Sequence, residues 1–375
     1  MILRIIFAFI VFVHGLLQLL GFVKAWNLAP VPRLTGKTLF PVNGPLTRAL
    51  GVLWMCAFLG FSITTVAFVL QMSWWWMPAA CAVVFSQSLI VVYWRDARFG
   101  TIVNLIIIPA MLAGYADWNF QRGVNAEIAA LLKTSVANQK EIVTRNMLRG
   151  LPYCVRKWLE RSNAIGKERI NCVRLKQTGM MRTKPESSWM STIAEQYFVV
   201  DTPGFIWKAE IQAAPLVYLS GRDMYEGGRG HMLIKLYSFI TVADSKGKEV
   251  DQGTLLRYLA ETIWFPSAAL NSYVSWEAID SSSARATMSY GGVSASGIFR
   301  FTHEGDVENF EAKRYGEFGG EYSLETWSIA MVGYREFQGI RIPDKSEVTW
   351  KLKTGDFTWF KLEITDLEFN RPEVY

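Results

Sequence analysis

The sequence predicts an α+β membrane protein, with an N-terminal four-helix transmembrane bundle followed by a mainly antiparallel β half-barrel-like domain that carries an inserted helix. Three observations predict this fold class. The first third of the chain holds four long apolar runs, the region after Ile170 alternates apolar and polar side chains, and one helical segment interrupts that alternation. We expect a transmembrane domain at residues 1–118, a helical connector at 119–168 and a β domain at 169–375.

The four apolar runs cover residues 2–23, 49–72, 74–94 and 101–118. Each approaches the ~20 residues that a helix needs to cross a ~30 Å hydrocarbon layer. The first run could instead be a cleavable secretory signal, but no Ala-x-Ala-like site follows it, so we expect a retained span. Composition agrees, because 51% of the 375 residues are hydrophobic and 19% are charged.

Basic residues in the short loops predict the orientation of the bundle. The first loop carries Lys24 and Arg33 among its four basic residues, the second has no charge, and the third contains Arg95 and Arg98. The positive-inside rule places the first and third loops in the cytoplasm. Both termini, and with them the β domain, are then expected outside.

The connector is expected to contain two helices. In residues 125–147, apolar residues recur at roughly helical spacing, which predicts a first helix. A second helix is predicted to begin at Pro152 and to stop at Ser162. The apolar positions of the first are Ile128, Leu132, Val136, Val143 and Met147, and those of the second are Val155, Trp158 and Leu159.

Two-residue alternation predicts strands around residues 205–211, 348–353 and 360–364, because such a pattern buries one face of a sheet. Frequent turn signals, such as Gly227-Gly228 and Gly291-Gly292, indicate an antiparallel meander. Residues 254–263 read as a helix with Asp251 as its cap, and this helix could plug the concave face of a curved sheet.

Motifs for several kinds of chemistry are missing from the sequence. It has no G-x-S-x-G elbow, P-loop or dinucleotide fingerprint. His231 and His303 lie outside any ligand-spaced cluster, so we expect no metal and no cofactor. Residues 1–118 hold seven Lys or Arg and two Asp or Glu, which leaves the rest of the chain near neutral and argues against nucleic-acid binding.

A polar cluster in the β domain is the candidate ligand-binding site. Its charges could grip a polar headgroup, with arginine suited to phosphate or carboxylate, while tryptophans line an apolar hollow. The alternative is structural: a turn, an ion pair and a helix cap. The candidates are Arg222, Asp223, Tyr225, Asp251, Arg257, Glu261, Trp207 and Trp264.

Polar residues within the spans form a second candidate group: His14, Gln18, Gln87 and Asn104. Such residues mark a proton or ligand site in some membrane proteins, and in others they only link helices by hydrogen bonds. Cys154 and Cys172 fall in the outer domain, where an oxidising compartment would permit a disulfide; two free thiols are the alternative.

Several stretches resemble an uncharacterised bacterial family, the DUF6544 proteins. They include Pro203-Gly204-Phe205-Ile206-Trp207, Gly221-Arg222-Asp223, Trp264-Phe265-Pro266 and Trp94-Arg95-Asp96-Ala97-Arg98. The first span is weakly similar to DoxX-like proteins, and the β domain is similar in outline to the half-barrels of LolA and LolB, which bind acyl chains. The resemblance implies a bacterial source and hence an inner (cytoplasmic) membrane, so that the C-terminal domain, which the loop charges place outside, would be periplasmic or extracellular. The resemblance supplies no catalytic residues.

Together these features predict a non-enzymatic, membrane-anchored module that binds a lipid or other apolar ligand. Its partners would be the bilayer and that ligand, with any protein partner unknown. One alternative is an enzyme that acts on a membrane-associated substrate through carboxylates and arginines. Another is a scaffold for a protein partner.

Overall fold

The computed structural model describes residues 2–135 and 141–375, and the chain divides into two units, Met1–Arg122 and Gly123–Tyr375. The first unit is helical. Its elements are α1 (Ile2–Ala25), α2 (Gly44–Val69), α3 (Trp76–Val92), α4 (Trp94–Ala97) and α5 (Gly100–Lys133), the last of which continues into the second unit.

Three of these helices, α1, α2 and α5, are long and apolar enough to cross a membrane. The third predicted span forms the 17-residue α3, because residues 72–75 make a turn before it and Tyr93 leaves helical geometry after it. A count of four spans therefore stays a prediction. Glycines allow close helix packing: a methyl group at Gly15 would lie 2.9 Å from Phe61 Cβ.

The predicted helix over residues 125–147 is wrong at Val143 and Met147. Ile128 and Leu132 lie on α5, which ends at Lys133, whereas Val136 falls outside the described residues. Val143 is extended and exchanges backbone hydrogen bonds with residues 166 and 167, and Met147 lies in a 3₁₀ turn, Arg145–Leu148. The apolar spacing of Val143 and Met147 reflected their packing in the core of the second unit rather than a continuous helix.

The next helix, α6 (Tyr153–Arg161), follows Pro152 and is capped by Ser162, as predicted. Its buried face carries Trp158, which is 2% exposed and packs against the rings of Trp276 and Phe299. This contact fixes α6 to the sheet.

A single antiparallel sheet forms most of the second unit and curls into a half-barrel. Within the described residues it has thirteen strands: β1 (Cys172–Met181), β2 (Met190–Val199), β3 (Gly204–Ala214), β4 (Val217–Glu226), β5 (Arg229–Leu236), β6 (Ile240–Ser245), β7 (Val274–Ala278), β8 (Ser283–Tyr290), β9 (Val293–Phe301), β10 (Val307–Phe318), β11 (Glu321–Phe337), β12 (Ile340–Leu352) and β13 (Gly355–Phe369). The strands predicted by alternation are β3, β12 and β13.

The strand order shows how the chain reaches both edges of the sheet. Strands β1 to β6 follow one another to one edge, β7 begins the opposite edge, and β13 returns to pair with β1. Helix α7 (Lys248–Glu261) connects the two edges and contacts β4, β5, β8, β9 and β10. It therefore crosses the concave face, as the predicted plug would.

Helix α7 starts six residues earlier than predicted. Gly247 occupies the N-cap with a φ of 115°, and Asp251 lies inside the first turn rather than at the cap. The Asp251 side chain instead accepts a hydrogen bond from the backbone N–H of Gly230 at 2.7 Å. The predicted cap was wrong because a glycine can end the preceding turn without a side-chain acceptor.

Two glycine turns touch where the curled sheet approaches itself. The β4–β5 turn contains Gly228 and the β8–β9 turn contains Gly291, with φ values of 84° and 59°. A methyl group on Gly228 would lie 2.1 Å from Gly291 O. We call this contact between Gly228 and Gly291 the glycine seam. Beside it, the Tyr225 hydroxyl donates to Tyr290 O at 3.1 Å. Only glycine permits both the positive φ and this approach.

Candidate functional site

A cavity of about 530 Å³ lies between α7 and the concave face of the sheet. This volume falls within the roughly 300–1,000 Å³ typical of small-molecule sites. Aromatic and aliphatic side chains make up most of its wall, and they come from strands at both ends of the sheet: Trp207, Ile211, Met232, Ile234, Phe318, Trp327, Ile329, Val348, Trp350, Phe357, Trp359, Phe360 and Leu362.

A charged triad on the same wall joins α7 to β4. Arg257 Nη1 donates to Asp223 Oδ2 at 2.6 Å, and Arg257 Nε donates to Glu261 Oε1 at 2.8 Å. Gln196 donates to the other Glu261 oxygen at 2.7 Å. Burial raises the pKa of Glu261, and the neighbouring Arg257 offsets part of that effect. The triad is a buried, hydrogen-bonded unit in which one guanidinium serves two carboxylates.

Two predicted aromatic residues also lie on this wall. Trp207 donates its indole N–H to Gln177 Oε1 at 3.1 Å, and the Arg257 guanidinium carbon lies 5.2 Å from the Trp207 ring centroid. Trp264 follows α7 in a 3₁₀ turn and is 2% exposed. The structure therefore brings Trp207, Asp223, Arg257, Glu261 and Trp264 together around one cavity.

The other predicted residues have separate structural contacts. Tyr225 belongs to the glycine seam and Asp251 holds the β5 backbone, and neither lines the cavity. Arg222 lies at the cavity margin, but its guanidinium pairs with Glu127 of α5 at 3.1 Å and donates to His231 O at 3.0 Å. The structural alternative was also wrong in its details, because Arg222 and Asp223 lie within β4 and pair with Glu127 and Arg257 rather than with each other, and Asp251 is not a helix cap.

Arg314 also lines the cavity and was not among the predicted residues. This residue follows Phe310 and Ala312 on the inward face of β10, so an arginine occupies a position where the alternation calls for an apolar side chain. Its guanidinium carbon lies 4.7 Å from the Trp327 ring centroid and 5.9 Å from that of Trp350. A charge at an inward position of an otherwise regular strand is the signal that could have identified it.

His231 and His303 do not form a metal site. His231 Nε2 lies 2.7 Å from Asp244 Oδ1, and burial lowers the pKa of this imidazole. Across residues 2–135 and 141–375, no cluster of three or more His, Cys, Asp or Glu side chains is arranged to hold a metal ion.

The predicted intramembrane residues converge within the first unit. His14 Nε2 on α1 lies 3.1 Å from both Asn104 Oδ1 on α5 and Gln18 Nε2. Asn104 also donates to Gln87 Oε1 on α3 at 3.0 Å. These contacts link three helices, and they account for the polar residues as interhelical hydrogen bonds. His14 and Gln18 also line a cavity of about 490 Å³ in this unit.

Cys154 on α6 and Cys172 on β1 are free, buried thiols, so the disulfide considered above is not formed. Each packs in the core of the second unit, and burial raises the pKa of both thiols. They act as small apolar packing residues.

Comparison with known proteins identifies a family for the second unit. The sequence profile of DUF6920, a family of unknown function, matches residues 149–369, from just before α6 to the end of β13. The resemblance to DUF6544 proteins was therefore wrong. Motifs of three to five residues do not separate one family from another, whereas a profile over the whole domain does. No curated protein matches this chain.

Solved structures that are similar to this chain include the following two. One is a LolA superfamily protein from Nitrosomonas europaea, with 11% identity over 58% of this chain and 94% of that chain and a TM-score of 0.34. The other is a DUF1329 family protein from Desulfovibrio piger, with 7% identity over 58% of this chain and 90% of that chain and a TM-score of 0.28. A LolA superfamily protein is thus among the structural neighbours, as the likeness in outline predicted.

Proposed function

This chain belongs to the DUF6920 family, whose function is unknown, and we propose that its second unit is a binding module that holds a lipid or another apolar ligand beneath α7. The observation that carries the proposal is the aromatic cavity. A domain of this size normally fills such a space with its own side chains, because an unfilled volume loses dispersion contacts. A bound alkyl chain would restore those contacts.

The N-terminal helices would anchor the module in a membrane. Their outward-facing side chains are largely apolar, and three of the helices are long enough to span a bilayer. The basic residues of the first and third loops support a cytoplasmic position for those loops. The C-terminus would then lie on the periplasmic or extracellular side of a bacterial inner membrane. A reporter fused after Tyr375 and carbonate extraction of vesicles test this part; cytosolic reporter activity or release by carbonate would refute it.

An enzymatic role has less support from the geometry. Asp223 and Glu261 are both bonded to Arg257, and Asp251 lies in a different set of contacts. An acid and a base would have to be separately free to exchange protons with a substrate. The contacts of these carboxylates favour a role in holding α7 to β4.

Photocrosslinking tests ligand binding directly. The full-length protein in detergent would be labelled with hexadecanol that carries a diazirine in its chain, and the labelled peptides would be mapped by mass spectrometry. We expect labels on the cavity faces of β3, β11 and β12, at or beside Trp207, Trp327 and Trp350. Labels on the outward faces alone would contradict the proposal.

A cavity-filling variant provides the second arm of the test. Gly221 lines the cavity, and a methyl group there would make ordinary contacts of 3.5–3.9 Å with Trp207, Ala209 and Ile211. The Gly221→Phe side chain would therefore project into the ligand space without a backbone clash. The matched control is Ser191→Phe on the exposed face of β2. Cavity labelling should fall in Gly221→Phe and persist in the control.

A further inference from the structure

Arg314 differs in its partners from Arg257 and Arg222, two of the other three arginines that line the cavity; the third, Arg182, donates to the backbone oxygens of Thr358 and Pro185. Arg257 is bonded to Asp223 and Glu261, and Arg222 is paired with Glu127. For Arg314, the part of the chain that the structure describes supplies no ion pair. Its described hydrogen bond runs from Nε to Gly253 O on α7, at 3.2 Å.

The surroundings of Arg314 make its charge costly. Its neighbours are the ring faces of Trp327 and Trp350 and the backbone of α7. Burial lowers the pKa of the guanidinium to about 10, and the charges of Asp223 and Glu261 raise it while that of Arg257 lowers it further. The group remains positively charged at neutral pH. A cation in such a place is normally compensated by an anion with good hydrogen-bond geometry.

The indoles of the same wall add further unused donors. Trp327 Nε1, Trp264 Nε1 and Trp359 Nε1 are buried, and none has a hydrogen-bond acceptor among the described residues. All three tryptophans line the cavity with Arg314. Buried donors of native proteins usually have partners, so this group of donors calls for a ligand rich in acceptor oxygens.

We infer that the ligand is an amphiphile with an acidic headgroup, a carboxylate or a phosphate, and that Arg314 binds this headgroup while the aromatic wall holds the chain. The inference rests on the proposed binding function and names its ligand class. Arg314 is suited to the task because its two terminal nitrogens can donate side by side to two oxygens of one anion. Gly253 presents no side chain to the guanidinium, whose Nη2 would lie 3.7 Å from a methyl group built there.

A cationic headgroup is the opposite case and has weaker support. It would have to use Asp223, whose Oδ1 is buried without a donor among the described residues. The second oxygen of that carboxylate is already bonded to Arg257, which Asp223 shares with Glu261. The unused donors on the wall therefore favour an anion.

Competition against the diazirine hexadecanol probe tests the inference in the full-length protein. The competitors share one chain length and differ in headgroup: hexadecanol, hexadecanoate, hexadecyl phosphate and hexadecylamine, with inorganic phosphate as the chainless anion. The readout is the loss of cavity labels caused by each competitor, divided by the loss caused by hexadecanol. Partition of the competitors into detergent affects all variants equally, so it cancels when this ratio is compared between variants. We expect one or both acidic amphiphiles to displace best, and inorganic phosphate alone to displace little. The carboxylate and phosphate arms identify which acid the site prefers.

Substitution of Arg314 provides the decisive comparison. In Arg314→Met the preference for the acid over hexadecanol should fall by about 10- to 100-fold, the effect of losing a hydrogen bond to a charged group. Arg314→Lys should keep part of it, because a point charge remains without the fork. The control Arg285→Met removes an exposed arginine of β8 and should leave the preference unchanged.

The outcomes separate the two proposals. Equal preference in wild type and Arg314→Met, or best displacement by hexadecylamine, would overturn the anion assignment while leaving apolar binding intact. Absence of cavity labelling by the alcohol probe would instead overturn the proposed function. Persistent alcohol labelling in Arg314→Met also shows that the variant is folded.

Discussion

Replacing Arg257 with methionine should strongly destabilise the second unit. The side chains of Arg257, Asp223 and Glu261 are only 14%, 12% and 10% exposed. Methionine would fill much of the same space but would leave two buried carboxylates without their cation. Removing one partner of a buried ion pair costs about 3–5 kcal/mol. At roughly 2–4 °C per kcal/mol for a domain of this size, the unfolding midpoint should fall by roughly 6–20 °C.

The chain contains a matched surface control. Arg371 also binds two carboxylates, Glu368 at 2.8 Å and Glu373 at 3.1 Å, but its side chain is 51% exposed. Exposed pairs contribute about 0–1 kcal/mol. Arg371→Met should therefore change the midpoint by a few degrees at most. Thermal proteolysis of the full-length protein in detergent, read from peptides of residues 141–375, measures both variants within the second unit alone.

The pH dependence of the stability loss in Arg257→Met can refute this reasoning. Burial raises the pKa of Glu261 in the folded state above its ordinary value of 4.5. For an acid shifted in this direction, stability is greatest when the group is protonated and falls as the pH rises through the folded pKa. Loss of Arg257 shifts the carboxyl further in the same direction, so the deficit of Arg257→Met should shrink as the pH approaches 4.5. Equal midpoints for both arginine variants, or a deficit independent of pH, would refute the reasoning.

Three further predictions concern the seam, the packing of α6 and a histidine. Gly228→Ala should lower the free energy of unfolding by more than about 1 kcal/mol, because the added methyl group would collide with Gly291 O. Gly292 has a similar positive φ but no neighbouring atoms within 4 Å of such a methyl group, so Gly292→Ala is the control. Chemical denaturation should show the larger loss for Gly228→Ala. Trp158→Ala should cost about 3–5 kcal/mol in the same assay, and a loss under 1 kcal/mol would show that α6 is not packed as described. NMR titration should find the pKa of His231 below 6.5. The contribution of this imidazole to stability is then lost as the pH falls below 6.5. A measured pKa above 6.5 would contradict the described burial.

The strands and their turns were the most predictable part of the fold. Alternation in β3, β12 and β13 is a local property, and glycine pairs such as Gly227-Gly228 mark turns directly. The start of α7 was missed because Gly247 ends the preceding turn without a capping side chain, and Asp251 imitated a cap from inside the helix. Local signals locate elements well and their ends less well.

The site was less predictable because it depends on contacts between distant residues. Asp223 and Arg257 are 34 positions apart, and only the crossing of α7 over β4 brings them together. The same limit applies to His14 and Asn104, since helical periodicity does not say which helices are neighbours. Arg314 could have been noticed from its position in β10, but only the three-dimensional arrangement shows that its guanidinium bonds to Gly253 O and pairs with no carboxylate of the described residues.

The pairing of β1 with β13 has a consequence for synthesis of the chain. Val173 of β1 is opposite Phe369 of β13 in this pair of strands, so β1 cannot complete its pairing until β13 has left the ribosome. Before then, β1 has one bare edge that could pair with another molecule. Contacts this far apart in sequence form slowly. A truncation that removed β13 would thus open the middle of the sheet rather than trim its end, and such a chain is a natural substrate for chaperones and proteases.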